Sequence, residues 1–263
     1  MKQVLFGFDI EEFDLPLECN REISFEEQLS VSTEGTNVIL DILDEYKIKA
    51  TFFCTANFAI NRPDLIHRII DEGHELASHG YFHSEFKQED YQRSKEVLET
   101  LSGSTIKGFR MARMQPIDTG LLAAADYTYD TSINPTWIPG RYNNRSYPYG
   151  YHKIKNGLVE IPSAVTPLLR FPLFWLSFHV LPVPVFTWLV NKLLRKQGYA
   201  VIYFHPWEFV NLQNHSEWNI PIYIRYNSGD AMRKRLSKMI KYYKSNGFGF
   251  ESTASYFEKK GVL

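Results

Sequence analysis

The sequence predicts an α/β protein built on a parallel sheet, either open or closed into a barrel. Apolar, strand-like runs alternate with amphipathic helical stretches along the whole chain. The length of 263 residues suits one barrel of alternating strands and helices, for which about 250 residues is usual. No repeat period or low-complexity tract interrupts the alternation.

Residues 4–10 form a short apolar run that ends in acids, the pattern of a buried strand. Over 33–46, Val38, Ile39, Ile42 and Leu43 share one helical face. Residues 50–54 (ATFFC) read as a second buried strand. A helix over 63–72 has proline in its first turn and is closed by Gly73. A strand over 74–77 precedes a helix over 88–101, and a strand over 106–109 precedes a short helix over 118–125. Residues 158–161, 199–204 and 247–250 read as later strands, with helices over 185–196 and 230–243 before the last two.

Composition narrows the function. Lys plus Arg number 29 against 30 Asp plus Glu, so no general basic excess exists to neutralise nucleic-acid phosphates, and no nucleic-acid partner is expected. Charged residues at 22% and hydrophobic ones at 44% describe a folded globular chain. The 15% of aromatics suits a pocketed enzyme or carbohydrate binder as well as a bulky core. Two cysteines, Cys19 and Cys54, make neither a CxxC motif nor a disulfide scaffold, which points to a reducing compartment. The first apolar run is only about five residues long before acids arrive, too short for a signal peptide, so a cytoplasmic location is expected.

In parallel α/β sheets the site lies at the carboxyl ends of the strands. Those ends carry Asp9-Ile10-Glu11-Glu12, Ser78-His79-Gly80-Tyr81-Phe82-His83, Phe109-Arg110 and His205-Pro206-Trp207-Glu208. His79 and His83 are spaced i, i+4, which on a helical turn places both imidazoles within reach of one metal. Asp9 and Glu11 follow an apolar strand, where a buried charge is costly unless paired or metal-bound, and a period of two points both to one side. Glu12 is either a solvated loop residue or an alternative carboxylate ligand.

These segments resemble the polysaccharide deacetylase family, also called carbohydrate esterase family four. FDIEEFD is similar to its first acidic motif, DEYKIKATFFCTANFA to its helix, turn and xATFF strand, and ELASHGYFH to its H-x-x-x-H motif. GFRMARMQ resembles its arginine motif, usually R-x-P, with Ala112 where the proline would stand. TYDTSI and IYFHPWE resemble the segments that follow. Six segments in this order run from Val4 to about Phe257.

The resemblance implies a distorted (β/α) barrel of about seven parallel strands, residues 1–263 forming a single catalytic domain with one divalent metal, zinc by preference. It implies Glu11, His79 and His83 as metal ligands, Asp9 as general base, Arg110 as the group that holds the base, and His205 as general acid. The chemistry of the residues agrees. Two imidazoles and a carboxylate form a zinc-type catalytic set, and an imidazole titrating near neutrality suits protonation of a departing amine. The expected reaction is removal of an N-acyl group, acetyl above all, from an amino sugar, a lipid-linked one included. A cyclic-amide hydrolase and a silent carbohydrate-binding module are the alternatives.

Residues 171–190 form a separate problem, because these twenty residues contain no Lys, Arg, Asp or Glu. A membrane span needs about 20 apolar residues, but Pro172, Pro182 and Pro184 argue against a continuous helix. Two readings stay open. One is a buried barrel helix with its loop, or an oligomer contact. The other is a hairpin that dips into the inner membrane face through Phe174, Trp175, Phe178, Phe186 and Trp188, aided by Lys192, Arg195 and Lys196.

Overall fold

The computed structural model describes residues 1–263, the Lys155 side chain excepted. β1 (Gln3–Ile10) leads through the short α1 (Leu15–Glu18) to the long α2 (Phe25–Tyr46). β2 (Thr51–Cys54) is followed by α3 (Ala56–Asn61) and α4 (Pro63–Asp71), and β3 (Glu75–Ser78) by a loop and α5 (Asp90–Ser102). Next come β4 (Gly108–Phe109), α6 (Thr119–Ala124), β5 (Tyr129–Asp130) and the hairpin of β6 (Trp137–Ile138) and β7 (Tyr142–Asn143). β8 (His152–Lys153), β9 (Val159–Glu160), α7 (Trp175–Val180) and α8 (Val183–Gln197) lead to β10 (Tyr199–Phe204). The chain finishes with α9 (Ile222–Arg225), α10 (Asp230–Ser245), β11 (Gly249–Phe250) and α11 (Thr253–Lys259).

The main sheet has the order β10-β1-β2-β3-β4-β5-β9-β8, with β11 also paired to β1. Every pairing in it is parallel except β8 with β9. The sheet curls into a half-barrel, and among the described residues no strand ladder closes it between β8 and β10. The expected distorted barrel of parallel strands is present, as a half-barrel open on that side. Past β9, Ile161 donates to Asp130 and Ser163 to Ile133 on the β5 side, and Ala164 then donates to Val201 of β10 across the gap.

β1 is buried along its whole length, which explains its unbroken apolar run: both faces are covered. Its even-numbered side chains, Val4, Phe6, Phe8 and Ile10, enter the core shared with the helices. Leu5 belongs to the opposite, concave layer with Phe53, Ala77, Tyr129, Tyr199 and Val201, which Ala254, Tyr256 and Phe257 of α11 plug from below. A strand period of two then carries Asp9 and Glu11 to the concave face above that plug.

α2 begins at Phe25, well before the expected residue 33. Ser24 and Glu27 form a reciprocal capping box, so polar residues start a helix whose apolar face appears only later. The 171–190 stretch breaks into α7 and α8. Pro182 caps α8 and Pro184 lies in its first turn, where a missing N–H costs nothing. Leu173, Phe174, Phe178, Phe186 and Val190 are buried, whereas Phe171, Val180, Val185 and Trp188 are exposed. Burial thus claims three of the five aromatic side chains on which the membrane hairpin depended. No helix of the structure is long and apolar enough to cross a membrane.

Candidate active site

Glu11 is buried at the end of β1, and both candidate histidines turn toward it. The 79–83 segment is a loop, not the helical turn that its spacing suggested. Gly80 supplies a positive φ of 86° that other residues resist, and the loop brings the two rings into a stack 6.0 Å apart. His79 Nε2 lies 3.2 Å and His83 Nε2 3.1 Å from the same Glu11 Oε2. The other ring nitrogens are anchored: His79 Nδ1 is 2.8 Å from the Arg110 carbonyl oxygen, and His83 Nδ1 is 3.0 Å from Asp14 Oδ2.

Anchoring Nδ1 on a carbonyl or carboxylate while leaving Nε2 free is the arrangement of metal-binding histidines. One ligand atom from each of Glu11, His79 and His83 lies within 4.8 Å of the others. Two imidazoles and one carboxylate fit a catalytic zinc-type donor set. Glu12 is engaged elsewhere, accepting from Thr55 Oγ1 at 3.0 Å and from Asn57 Nδ2. Burial alone would raise the Glu11 carboxyl, but His83, the His79 hydrogen bond and His205 outweigh it and hold it at about 2. Burial alone would lower His83, yet Glu11 and Asp14 raise it to about 9. Each of these two shifts thus arises largely from the other group.

Asp9 Oδ1 accepts from Arg110 Nη1 at 2.5 Å, both side chains being buried. Gly7 makes this possible, since a Cβ there would come within 2.9 Å of that guanidinium nitrogen. Arg110 also lies over the Phe53 ring and donates to Thr131 Oγ1 at 3.1 Å, so its orientation is fixed from several sides. The positions expected for base and clamp are thus adjacent.

His205 follows β10 across the site. Its Nδ1 is 3.1 Å from Glu208 Oε1, and Glu208 Oε2 is 2.9 Å from His179 Nε2 of α7. Glu208 and His179 are fully buried. Trp207 stacks on the His205 ring at 5.0 Å, and Trp175 meets it edge-on at 5.3 Å. Burial alone would lower His205, but the Glu208 hydrogen bond, with Glu11, Glu208 and Asp9, raises it above the usual histidine value. Sequence reasoning found His205 and missed its supports. Glu208 was visible in HPWE, but nothing in the sequence connects it with His179. The charge-free 171–190 stretch delivers His179 and Trp175 to the site.

Asp9, Glu11, His79, His83 and His205 line one cavity of about 520 Å³. Residues 22–132 match the polysaccharide deacetylase family. The first half of the chain thus carries the resemblance to this family, and the match covers less than half of the whole. Residues 131–257 match a domain of unknown function (DUF3473). The Bacillus subtilis peptidoglycan-N-acetylmuramic acid deacetylase PdaA is 29% identical over 72 residues, which is 27% of this chain and 27% of that protein. A Bradyrhizobium chitooligosaccharide deacetylase is 38% identical over 61 residues, covering 23% of this chain and 28% of that one. The matches thus span only about a quarter of these relatives. Among solved structures, a Mycobacterium smegmatis protein named as a polysaccharide deacetylase has a TM-score of 0.67 at 20% identity, covering 98% of this chain and 89% of that one. A family-four pseudoenzyme from Bacillus anthracis has a TM-score of 0.54 at 14% identity, covering 97% and 64%. These likenesses establish the fold, and the reading of the activity falls to the side chains.

After Arg110, where Ala112 stands in the segment resembling the arginine motif, the chain turns through positive φ at Arg113 (57°) and Met114 (52°). Such backbone costs about 1–3 kcal/mol per residue. The turn sends Arg113 to Asp14 at 2.7 Å and Glu18 at 3.1 Å. Asp14 thereby links Arg113 to His83, a contact the sequence did not suggest.

Proposed function

We propose that this chain hydrolyses the N-acyl group, acetyl above all, of an amino sugar with the aid of one divalent metal, zinc by preference. A single observation carries the reading: the Glu11–His79–His83 cluster, the Asp9–Arg110 pair and the His205–Glu208 pair all meet around one cavity. Glu11, His79 and His83 would hold the metal. When bound there, it supplies Lewis acidity that polarises an acyl carbonyl and lowers the pKa of water. Asp9 takes the proton of the attacking water, with Arg110 fixing the carboxylate through a charge-assisted hydrogen bond. His205 donates a proton to the departing amine nitrogen, and Glu208 holds its Nδ1 so that Nε2 faces the cavity. The named relatives act on N-acetylated sugars, which supports acetyl as the group removed. A lipid-linked sugar remains within the proposed substrate range.

Acetate release from a panel of N-acetylated sugars, free and lipid-linked, tests this reading, and release from none of them would contradict it. The same assay examines the acid. His205 must be protonated to act, so a raised His205 value extends activity toward higher pH. Glu208→Gln removes the negative charge that raises it and weakens the hydrogen bond to its Nδ1. The alkaline limb of the pH–rate profile is therefore expected to move to lower pH, with kcat reduced more than KM is changed. An unmoved alkaline limb would mean that Glu208 does not set the acid.

A further inference from the structure

A second cavity of about 510 Å³ lies against the first, and Arg113, Met114, Arg141 and Tyr142 line both. Its far wall is built by the half of the chain outside the deacetylase match, including Asn144, Tyr147, His152 and Glu160. One feature at this cavity is unaccounted for by the fold. Arg141, exposed in the turn of the β6–β7 hairpin, has no carboxylate within 4.0 Å among the described residues, whereas Arg113 beside it is neutralised by Asp14 and Glu18. Glu160, only 1% exposed, also lines the cavity and is hydrogen-bonded to the neighbouring Asp130 carboxyl.

Charge points to the kind of ligand. Residues 131–207 carry eight Lys or Arg and one acidic residue, Glu160, although the whole chain has a net charge of −1. Burial and the neighbouring Asp130 raise the Glu160 carboxyl well above the usual range, which weakens its repulsion of an anion. The ionised side chain left facing the junction without an acidic partner is Arg141.

We propose that the second cavity binds the neighbouring unit of an N-acylated oligosaccharide whose acidic group, a carboxylate or a phosphate ester, is held by Arg141. Arg141 suits either anion because its planar fork matches both. This rests on the first cavity being the reacting site, and it makes the preferred substrate an acidic glycan of at least two units.

The test titrates the full chain calorimetrically with three probes: neutral N,N′-diacetylchitobiose, the N-acetylglucosamine–N-acetylmuramic acid disaccharide with its free carboxylate, and diacetylchitobiose 1-phosphate. At least one acidic probe is expected to bind about tenfold more tightly than the neutral one at low salt. That preference is expected to shrink with added salt and to disappear in Arg141→Gln, an exposed substitution with no core contact to lose. The two acidic probes distinguish carboxylate from phosphate. Equal affinity for all three, no binding of any, or a preference that survives Arg141→Gln would overturn the proposal. Acetate release measured in parallel separates the two claims. Acid preference without release overturns the deacetylase reading alone, and release without acid preference overturns the second site alone.

Discussion

Replacing Asp9 by Asn is expected to lower kcat about 10²–10⁴-fold, the usual contribution of a general base, while bound metal stays in place. Asn keeps the shape of the side chain but cannot take a proton. The substitution also leaves Arg110 buried without its anion, and removing one partner of a buried pair costs about 3–5 kcal/mol. Asp9→Asn is therefore expected to melt at a lower temperature as well, and kcat must be read below the onset of that melt. Glu11→Gln is expected to behave differently, losing metal first, because its Oε2 is the atom both imidazoles face. Metal analysis of the two variants checks the assignment. Metal loss in Asp9→Asn with retention in Glu11→Gln would mean that the roles are exchanged.

The combined substitution of Phe174, Trp175 and Phe178 by Ser is expected to unfold the protein. Phe178 is fully buried, against Phe186 and Phe204, and Phe174 is only 8% exposed. Truncating a buried Phe costs about 3–5 kcal/mol, and two such losses approach the whole stability of an ordinary domain, about 5–15 kcal/mol. Trp175 adds its contacts with His205 and Trp207, so the site would be disturbed even in a surviving fold. A thermal melt with vesicle flotation decides the matter. A folded variant that has lost vesicle binding would restore these three side chains to a membrane contact. Within the 171–190 stretch, Trp188, with Lys192 3.6 Å above its ring, remains outward-facing.

The central strands were legible because each is a continuous apolar run with both faces covered. Val4 to Ile10 and Tyr199 to Phe204 appear where the pattern put them. β4, β5 and β9 are two residues long, too short to carry any period, and their register depends on neighbours far away in sequence. The concave face of β1 followed from alternation alone, which is why Asp9 and Glu11 could be paired before any coordinates. The convergence of His83 was reached for a partly mistaken reason: the spacing suggested a helical turn, and a glycine-bent loop achieves the same approach. His179 and Glu208 escaped notice because hydrophobicity shows that a stretch avoids water without showing whether protein or lipid covers it.

Metal content measured together with acetate release, in the wild type and in folded His79→Ala and His83→Ala variants, addresses the metal-site claim directly. The account predicts about one divalent ion per wild-type chain, none in either variant, and acetate release that is lost with the ion and restored by adding it back to the wild type alone. Full metal occupancy in both variants, or acetate release that survives complete chelation, would contradict it.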